Sequence, residues 1–165
     1  MLLNKTKFKV IDLFSGAGVF SSAFLKEGFE IIKAIEIDPV AASTYRANLG
    51  NHIINADIIK CKPSGTCDVL IAGPPCQGFS TLGKRDKKDK RNFLSYEVVK
   101  WAAVTKPKIV IIENVSAFLD SDVWLKLTQK FRKIGYEIDS TILNARDFGV
   151  PQIRRRSFTV ASKIG

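Results

Sequence analysis

The sequence predicts an α/β fold, a mostly parallel sheet with helices on both faces, and three observations predict it. Short apolar runs alternate with segments of helical periodicity along the chain, the order that builds strand, crossover helix and parallel strand. Two of those runs, Val69-Leu70-Ile71-Ala72 and Ile109-Val110-Ile111-Ile112, are continuously apolar, as strands covered on both faces must be. A glycine-bearing turn, Ser15-Gly16-Ala17-Gly18, stands between the first run and the first helical pattern, where such sheets bring backbone up to a ligand.

Each element has its own signal. Phe8 to Phe14 reads as the first strand, followed by a helix with Phe20, Ala23, Phe24 and Glu27 at helical spacing and Gly28 as its stop. Phe29 to Ile35 makes the second strand. The next helix takes Asp38 as N-cap and Pro39 at its first position, carries an Ala42, Tyr45, Leu49 stripe and ends at Gly50. Asp57 follows a third short strand, and Asp68 to Ala72 forms a fourth. After a long loop, Leu94, Val98, Trp101, Ala102 and Thr105 share one helical face that breaks at Lys106-Pro107, and Lys108 to Ile112 is another buried strand. Ser121 caps a helix with Trp124, Leu127, Phe131 and Ile134 three and four apart, closed by Gly135. The alternating strand Tyr136, Ile138, Ser140, Ile142 and a last strand from Ser157 to Ala161 complete the series. With no repeat, linker or low-complexity tail, residues 1–165 are expected to form one domain.

Composition excludes several classes. At 45% hydrophobic and 25% charged residues, the chain can bury one sizeable core. No apolar run approaches a bilayer span, and Met1 to Lys5 has no apolar segment behind it to make a signal peptide, so a cytoplasmic protein with no membrane partner is expected. Three cysteines without paired spacing and a single histidine, His52, argue against a disulfide framework and a metal site. Cys61 and Cys67 read as bystanders. A formal charge of +10 points to a polyanionic partner. Scattered lysines such as Lys5, Lys9 and Lys33 would give a solvated surface, so only clustered charge bears on that partner.

The chemistry concentrates at strand ends. Gly73-Pro74-Pro75-Cys76-Gln77-Gly78-Phe79-Ser80 follows the fourth strand directly, and the proline pair mounts the Cys76 thiol on a rigid turn at its carboxyl end. A lone cysteine is ordinarily a small buried hydrophobe. Here Glu113-Asn114-Val115 follows another central strand, so a carboxyl group points into the same cleft. Burial would raise that carboxyl's pKa and make Glu113 a general acid, with a salt bridge or cap as the structural alternative. Glu36, eighteen residues beyond Gly18, stands where dinucleotide folds accept ribose hydroxyls. The phosphate-binding pattern is incomplete, with Ser21 at the third glycine's place and no P-loop, which favours a nucleoside cofactor without pyrophosphate. Asp57 could accept from an adenine amino group or serve as a cap.

Basic charge clusters twice. Gly83 to Asn92 holds six basic and two acidic residues, including Lys84, Arg85 and Arg91, and reads as a lid over a polyanion. Gln152-Ile153-Arg154-Arg155-Arg156 projects guanidinium groups suited to bidentate phosphate binding, with Arg154 and Arg156 on one face by alternation.

In this collinear order the motifs resemble the cytosine-5 DNA methyltransferase family over nearly the whole chain. Asp12 to Gly18 is similar to its first cofactor motif, Glu36-Ile37-Asp38 to its ribose motif, and Asp57-Ile58 to its adenine contact. Gly73 to Ser80 resembles the nucleophile motif, Arg91-Asn92-Phe93-Leu94 the motif reaching the cofactor, Glu113-Asn114-Val115 the motif holding cytosine, and Gln152 to Arg156 the arginine motif. The resemblance implies a Rossmann-like S-adenosyl-L-methionine-dependent methyltransferase fold. It implies a cofactor site of Phe14, Ser15, Gly16, Ala17, Gly18, Glu36, Ile37, Asp57, Ile58, Pro74 and Leu94. Cys76, Glu113, Arg154 and Arg156 would be catalytic, with Gln77, Ser80, Lys84, Arg85, Arg91, Asn114 and Gln152 meeting the DNA. The implied reaction is methyl transfer to C5 of a flipped-out cytosine through a covalent Cys76 adduct, as in a restriction-modification system.

Family members continue past the arginine motif with a target-recognition domain and further cofactor-pocket motifs, whereas this sequence stops at Gly165. The expectation is therefore a catalytic core whose recognition part is missing or sits on a second polypeptide. The competing readings are a tRNA cytosine-5 methyltransferase, a non-enzymatic DNA- or cofactor-binding remnant, and a dehydrogenase with a Rossmann core.

Overall fold

The computed structural model describes residues 7–75 and 93–164. Cys76, Gln77, Ser80, Lys84, Arg85 and Arg91 lie outside them. The described residues form seven strands in one sheet, in the order β3-β2-β1-β4-β5-β7-β6. The strands are β1 (Lys9–Leu13), β2 (Glu30–Glu36), β3 (Ile53–Asn55), β4 (Val69–Ala72), β5 (Ile109–Val115), β6 (Glu137–Asn144) and β7 (Arg155–Ser162). The first five are parallel, while β7 runs antiparallel to both β5 and β6. The chain winds outward from β1 to β3 and then returns to place β4 on the other side of β1. That reversal opens a crevice at the carboxyl ends of β1 and β4, where open sheets bind ligands.

Helices α1 (Val19–Lys26), α2 (Pro39–Leu49), α3 (Ser95–Thr105) and α4 (Asp122–Lys133) cover the two faces. Side chains alternate across a strand, and the core divides accordingly. Ile11, Leu13, Leu70, Ala72, Val110 and Ile112 pack with Val98, Trp101, Leu127 and Phe131 of α3 and α4. Val10, Val69 and Ile71 pack with Phe20 and Phe24 of α1. Ala34 and Ile53 meet Ala42 and Tyr45 of α2. On this alternation Asp12 follows Val10 onto the α1 face, a carboxyl group in an apolar row.

The caps hold as expected. Asp38 accepts from Val40 N and Ala41 N, and Ser121 Oγ accepts from Trp124 N at 3.1 Å. Two strand ends differ from the sequence reading. Phe14 leaves β1 because its φ is 59°. Strand β5 continues three residues past Ile112, because Glu113, Asn114 and Val115 pair with Phe158, Ser157 and Arg156 of β7. Glu113 and Asn114 thus sit within a paired strand and not in a loop beyond it. Among the described residues no helix is long and apolar enough to cross a membrane, and no group of three His, Cys, Asp or Glu could hold a metal.

Ser121 also donates to Phe118 O at 2.6 Å, so it joins the turn before α4 to the helix it caps. Ser121→Ala should cost about 1 kcal/mol, read as a lower urea midpoint with an unchanged m-value.

Candidate active site

The turn after β1 adopts a backbone that few side chains favour. Phe14, Gly16 and Gly18 have φ of 59°, 54° and 93°. For Phe14, a non-glycine residue, that conformation costs about 1–2 kcal/mol, and the surrounding bonds hold it. Ser15 N donates to Ile35 O at 3.0 Å, and Gly16 N donates to Glu36 Oε2 at 2.8 Å. The other oxygen of Glu36 accepts from Asp38 N, also at 2.8 Å. One carboxylate therefore ties the β1 turn to the start of α2. Gly18 serves packing, since a Cβ there would lie 2.8 Å from the Tyr45 ring and against Leu49. At Gly16 a Cβ would meet nothing within 4 Å, so that side of the turn is open.

Two cavities meet at this turn, sharing Phe14 and Gly73. The first, about 230 Å³, is an apolar slot between Ile35, Ile37, Ile58, Pro75 and Leu94 with Glu36 and Asp57 in its wall. Asp57 caps a short 3-10 turn through Oδ1, which accepts from Ile59 N at 3.0 Å, leaving Oδ2 for other donors. An apolar slot with two carboxylates suits a nucleoside, with a flat base between aliphatic side chains and acceptors for its amino and hydroxyl groups. The second cavity, about 610 Å³, is walled by Asp12, Ser15, Gly16, Ala17, Glu113 and Arg154 among others.

Glu113 is paired and not buried. Its Oε1 lies 3.1 Å from Arg156 Nε, with 30% of the side chain exposed. The burial-driven acid expected from the sequence gives way to an ion pair between two of the predicted catalytic residues. Arg154 joins them at the cavity wall, its N–H donating to Asn144 Oδ1 at 3.1 Å. Arg154 precedes β7, so the turn brings the two arginines together, and they share a small apolar cavity with Glu113, Phe148 and Phe158. Asn114 is buried and donates to Pro74 O at 3.2 Å. It therefore fixes the backbone two residues before Cys76. Gln152 is exposed and lines none of these three cavities.

The sequence reading passed over Asp12, which is 1% exposed. Ser21 Oγ donates to its Oδ2 at 2.6 Å, while Oδ1 has no partner among the described residues and the residue lines the larger cavity. Burial is the main cause that raises the Asp12 carboxyl to about 7, opposed by the Ser21 hydrogen bond and reinforced by the negative charge of Glu36. A carboxyl group inside the run Val10-Ile11-Asp12-Leu13 was the available signal.

Comparison with known proteins follows the same lines. A family model described as C-5 cytosine-specific DNA methylase matches residues 8–165. The Type II methyltransferase M1.HphI of Haemophilus parahaemolyticus is 38% identical over 170 residues, covering 94% of this chain and 46% of the relative. The Type II methyltransferase M.DdeI of Desulfomicrobium norvegicum is 40% identical over 167 residues, covering 93% and 40%. Among solved structures, the S. pombe Dnmt2 methyltransferase superposes with a TM-score of 0.78 at 26% identity, covering 96% of this chain and 52% of that one. The chain thus spans about half the length of the relatives it matches.

With its folded pKa raised to about 7, Asp12 keeps its proton in the folded chain at pH values where the unfolded chain has lost it. Stability contributed by this group is complete below about pH 4 and declines as pH rises to about 7. Asp12→Asn removes that decline. Its stability relative to the parent chain should rise by about 2.6 kcal/mol between pH 5 and pH 8, measured by urea unfolding at both pH values.

Proposed function

Because the chain belongs to the C-5 cytosine-specific DNA methylase family, we propose that it is the catalytic core of a DNA (cytosine-5)-methyltransferase. It would move a methyl group from S-adenosyl-L-methionine to C5 of a cytosine turned out of the duplex. The observation that carries this reading is the meeting of two cavities at Phe14 and Gly73. One suits a nucleoside, and the other presents Glu113 and Arg154 beside the strand end that leads to Cys76.

On this reading Ile37, Ile58 and Leu94 belong to the adenosine side, where Pro75 lines the slot in place of the expected Pro74, with Asp57 taking the adenine amino group and Glu36 the ribose hydroxyls. Glu36 can do so while holding Gly16 N and Asp38 N, since each carboxylate oxygen has more than one acceptor direction. When bound, S-adenosyl-L-methionine supplies an electrophilic methyl group. The chain's own residues prepare the cytosine to receive it. The Cys76 thiolate would add to C6 while N3 takes up a solvent proton relayed through Glu113, which makes C5 nucleophilic. After transfer, loss of the C5 proton and expulsion of the thiolate restore the aromatic ring. Arg156 occupies Oε1 of Glu113, leaving Oε2 to face the base. Arg154 and Arg156 would hold the base and its phosphate, with Lys84, Arg85 and Arg91 closing over the strand. Gln77, Ser80 and Gln152 complete the DNA contacts on this reading.

A recognition part, continuous with this chain or carried by a second polypeptide, would choose the target site. Phosphate contacts made by a chain of charge +10 position DNA without specifying sequence. Such an enzyme would work in the cytoplasm on nucleoid DNA, as part of a restriction-modification system.

The test uses tritiated cofactor and a 5-fluorocytosine duplex library, with tRNA in parallel. A covalent adduct with DNA should form and should vanish in Cys76→Ser while cofactor binding persists. An adduct with tRNA alone would overturn the DNA assignment, and absence of cofactor binding would overturn the enzyme reading. Glu36→Ala should weaken cofactor binding at least about tenfold, or 1.4 kcal/mol, by calorimetric titration, because it removes an acceptor and releases the turn. An unchanged dissociation constant would remove Glu36 from the site.

A further inference from the structure

A buried row of polar groups leads from the larger cavity to the turn between α2 and β3. Ser21 Oγ lies 2.6 Å from Asp12 Oδ2, Tyr45 Oη 2.9 Å from Ser21 Oγ, and His52 Nε2 2.9 Å from Tyr45 Oη. Asp12, Ser21 and Tyr45 are each at most 1% exposed, whereas His52 is half-buried. Each hydroxyl has one hydrogen, so the row has two self-consistent polarities. In the inward one, His52 Nε2–H donates to Tyr45, Tyr45 to Ser21, and Ser21 to an Asp12 carboxylate. In the outward one, a protonated Asp12 donates to Ser21, Ser21 to Tyr45, and Tyr45 to a bare His52 Nε2.

We propose that Asp12, Ser21, Tyr45 and His52 form a proton relay that charges Asp12 when a ligand ammonium enters the larger cavity and discharges it when the ligand leaves. The ammonium is that of the cofactor's amino-acid end, so the inference rests on the cofactor reading above. Asp12 Oδ1, buried in the cavity wall and unpaired among the described residues, is its acceptor. Going from inward to outward, each hydrogen moves one step toward Asp12 and the Nε2 position empties. One proton from solvent is then taken up at His52 Nδ1. The buried carboxyl group thereby becomes neutral without water reaching it. Tyr45 is a positioning residue in this device, because its ring also floors Gly18 of the ligand turn.

The surrounding charges agree with a carboxyl group balanced between two states. Glu36 on β2 opposes ionisation of Asp12, and Glu113 and Arg154 face it across the cavity with opposite signs. Burial raises Asp12 to about 7 and Tyr45 to about 12, and it lowers His52 below its ordinary value. Burial thus favours the neutral ring of His52, whose tautomer reports the polarity.

His52 is the only histidine, so its ring nitrogens can be read without ambiguity in long-range proton–nitrogen spectra of the full chain. The free chain should show Nδ1–H near pH 6 and Nε2–H at pH 8. At pH 6, S-adenosyl-L-methionine should restore Nε2–H. Methylthioadenosine, which has the nucleoside and thioether but no ammonium, should bind without changing the tautomer. Cofactor affinity should fall about tenfold per pH unit below 7, while methylthioadenosine affinity stays level. Tyr45→Phe, or Ser21→Ala as an independent cut, should uncouple His52 from the ligand and move the affinity midpoint to higher pH. A purely structural Tyr45 would weaken both ligands equally with no shift in midpoint, and that result overturns the relay. A tautomer that never changes in the free chain overturns it as well. If neither ligand binds but the tautomer still switches with pH, the relay stands and the cofactor reading falls.

Discussion

The carboxylate of Glu36 is the constraint on which the site depends. It stands at the end of β2 and accepts the amide hydrogens of Gly16 and Asp38, one on each oxygen. Two turns that belong to different crossover units are thereby joined, and the left-handed backbone at Phe14 is held where its ring can divide the two cavities. Charge-assisted hydrogen bonds of this kind are roughly twice as strong as neutral ones. They are an adequate source for the cost of the Phe14 conformation, and they place the strain where a ligand would meet the turn. The same carboxylate raises the cost of ionising Asp12, so the clamp that shapes the turn also sets the electrostatics beside it.

The distribution of charge follows from this arrangement. Asp12, Glu36, Asp57 and Glu113 all stand at the walls of two adjoining cavities, although the chain as a whole carries a charge of +10. On the proposed reading, the cationic sulfonium cofactor would meet the acidic walls and a polyanion the basic remainder. Arg154 and Arg156 stand at the boundary between these fields. The 3.1 Å pair between Arg156 and Glu113 gives that boundary its geometry, because both residues are on strands that pair directly.

The strands and caps were legible because their signals are local. Continuous apolar runs gave β4 and β5, and Asp38 and Ser121 hold the caps that their positions implied. Glu36 and Asp57 could be placed at one crevice, and they do line one cavity, because glycine turns and strand ends fix their neighbourhood within a few residues. What the sequence hid depends on contacts between distant residues. Strand β5 extends past its apolar run only because β7 pairs with it. Glu113 meets Arg156 instead of an apolar pocket for the same reason. Asn114, expected to face the substrate, binds Pro74 O instead, forty residues away in sequence. Ser21 looked like a missing glycine, and His52 like an isolated ring. Their roles appear only when α2 is laid beside α1, which brings Tyr45 between them.

On the proposed reading, a core that spans half of its relatives would keep its reacting groups in place through the sheet itself. Asn114 on β5 holds Pro74 at the end of β4, so the backbone leading to Cys76 is tied to the strand that carries Glu113. Arg156 on β7 then holds Glu113 from the other side. These links cross three neighbouring strands and use no residue outside the described sheet and turns. Sequence recognition needs contacts to base edges in a groove, a task distinct from fixing these links. The two tasks are therefore separable on physical grounds. On the proposed reading, target choice made elsewhere would leave the geometry at β4, β5 and β7 unchanged.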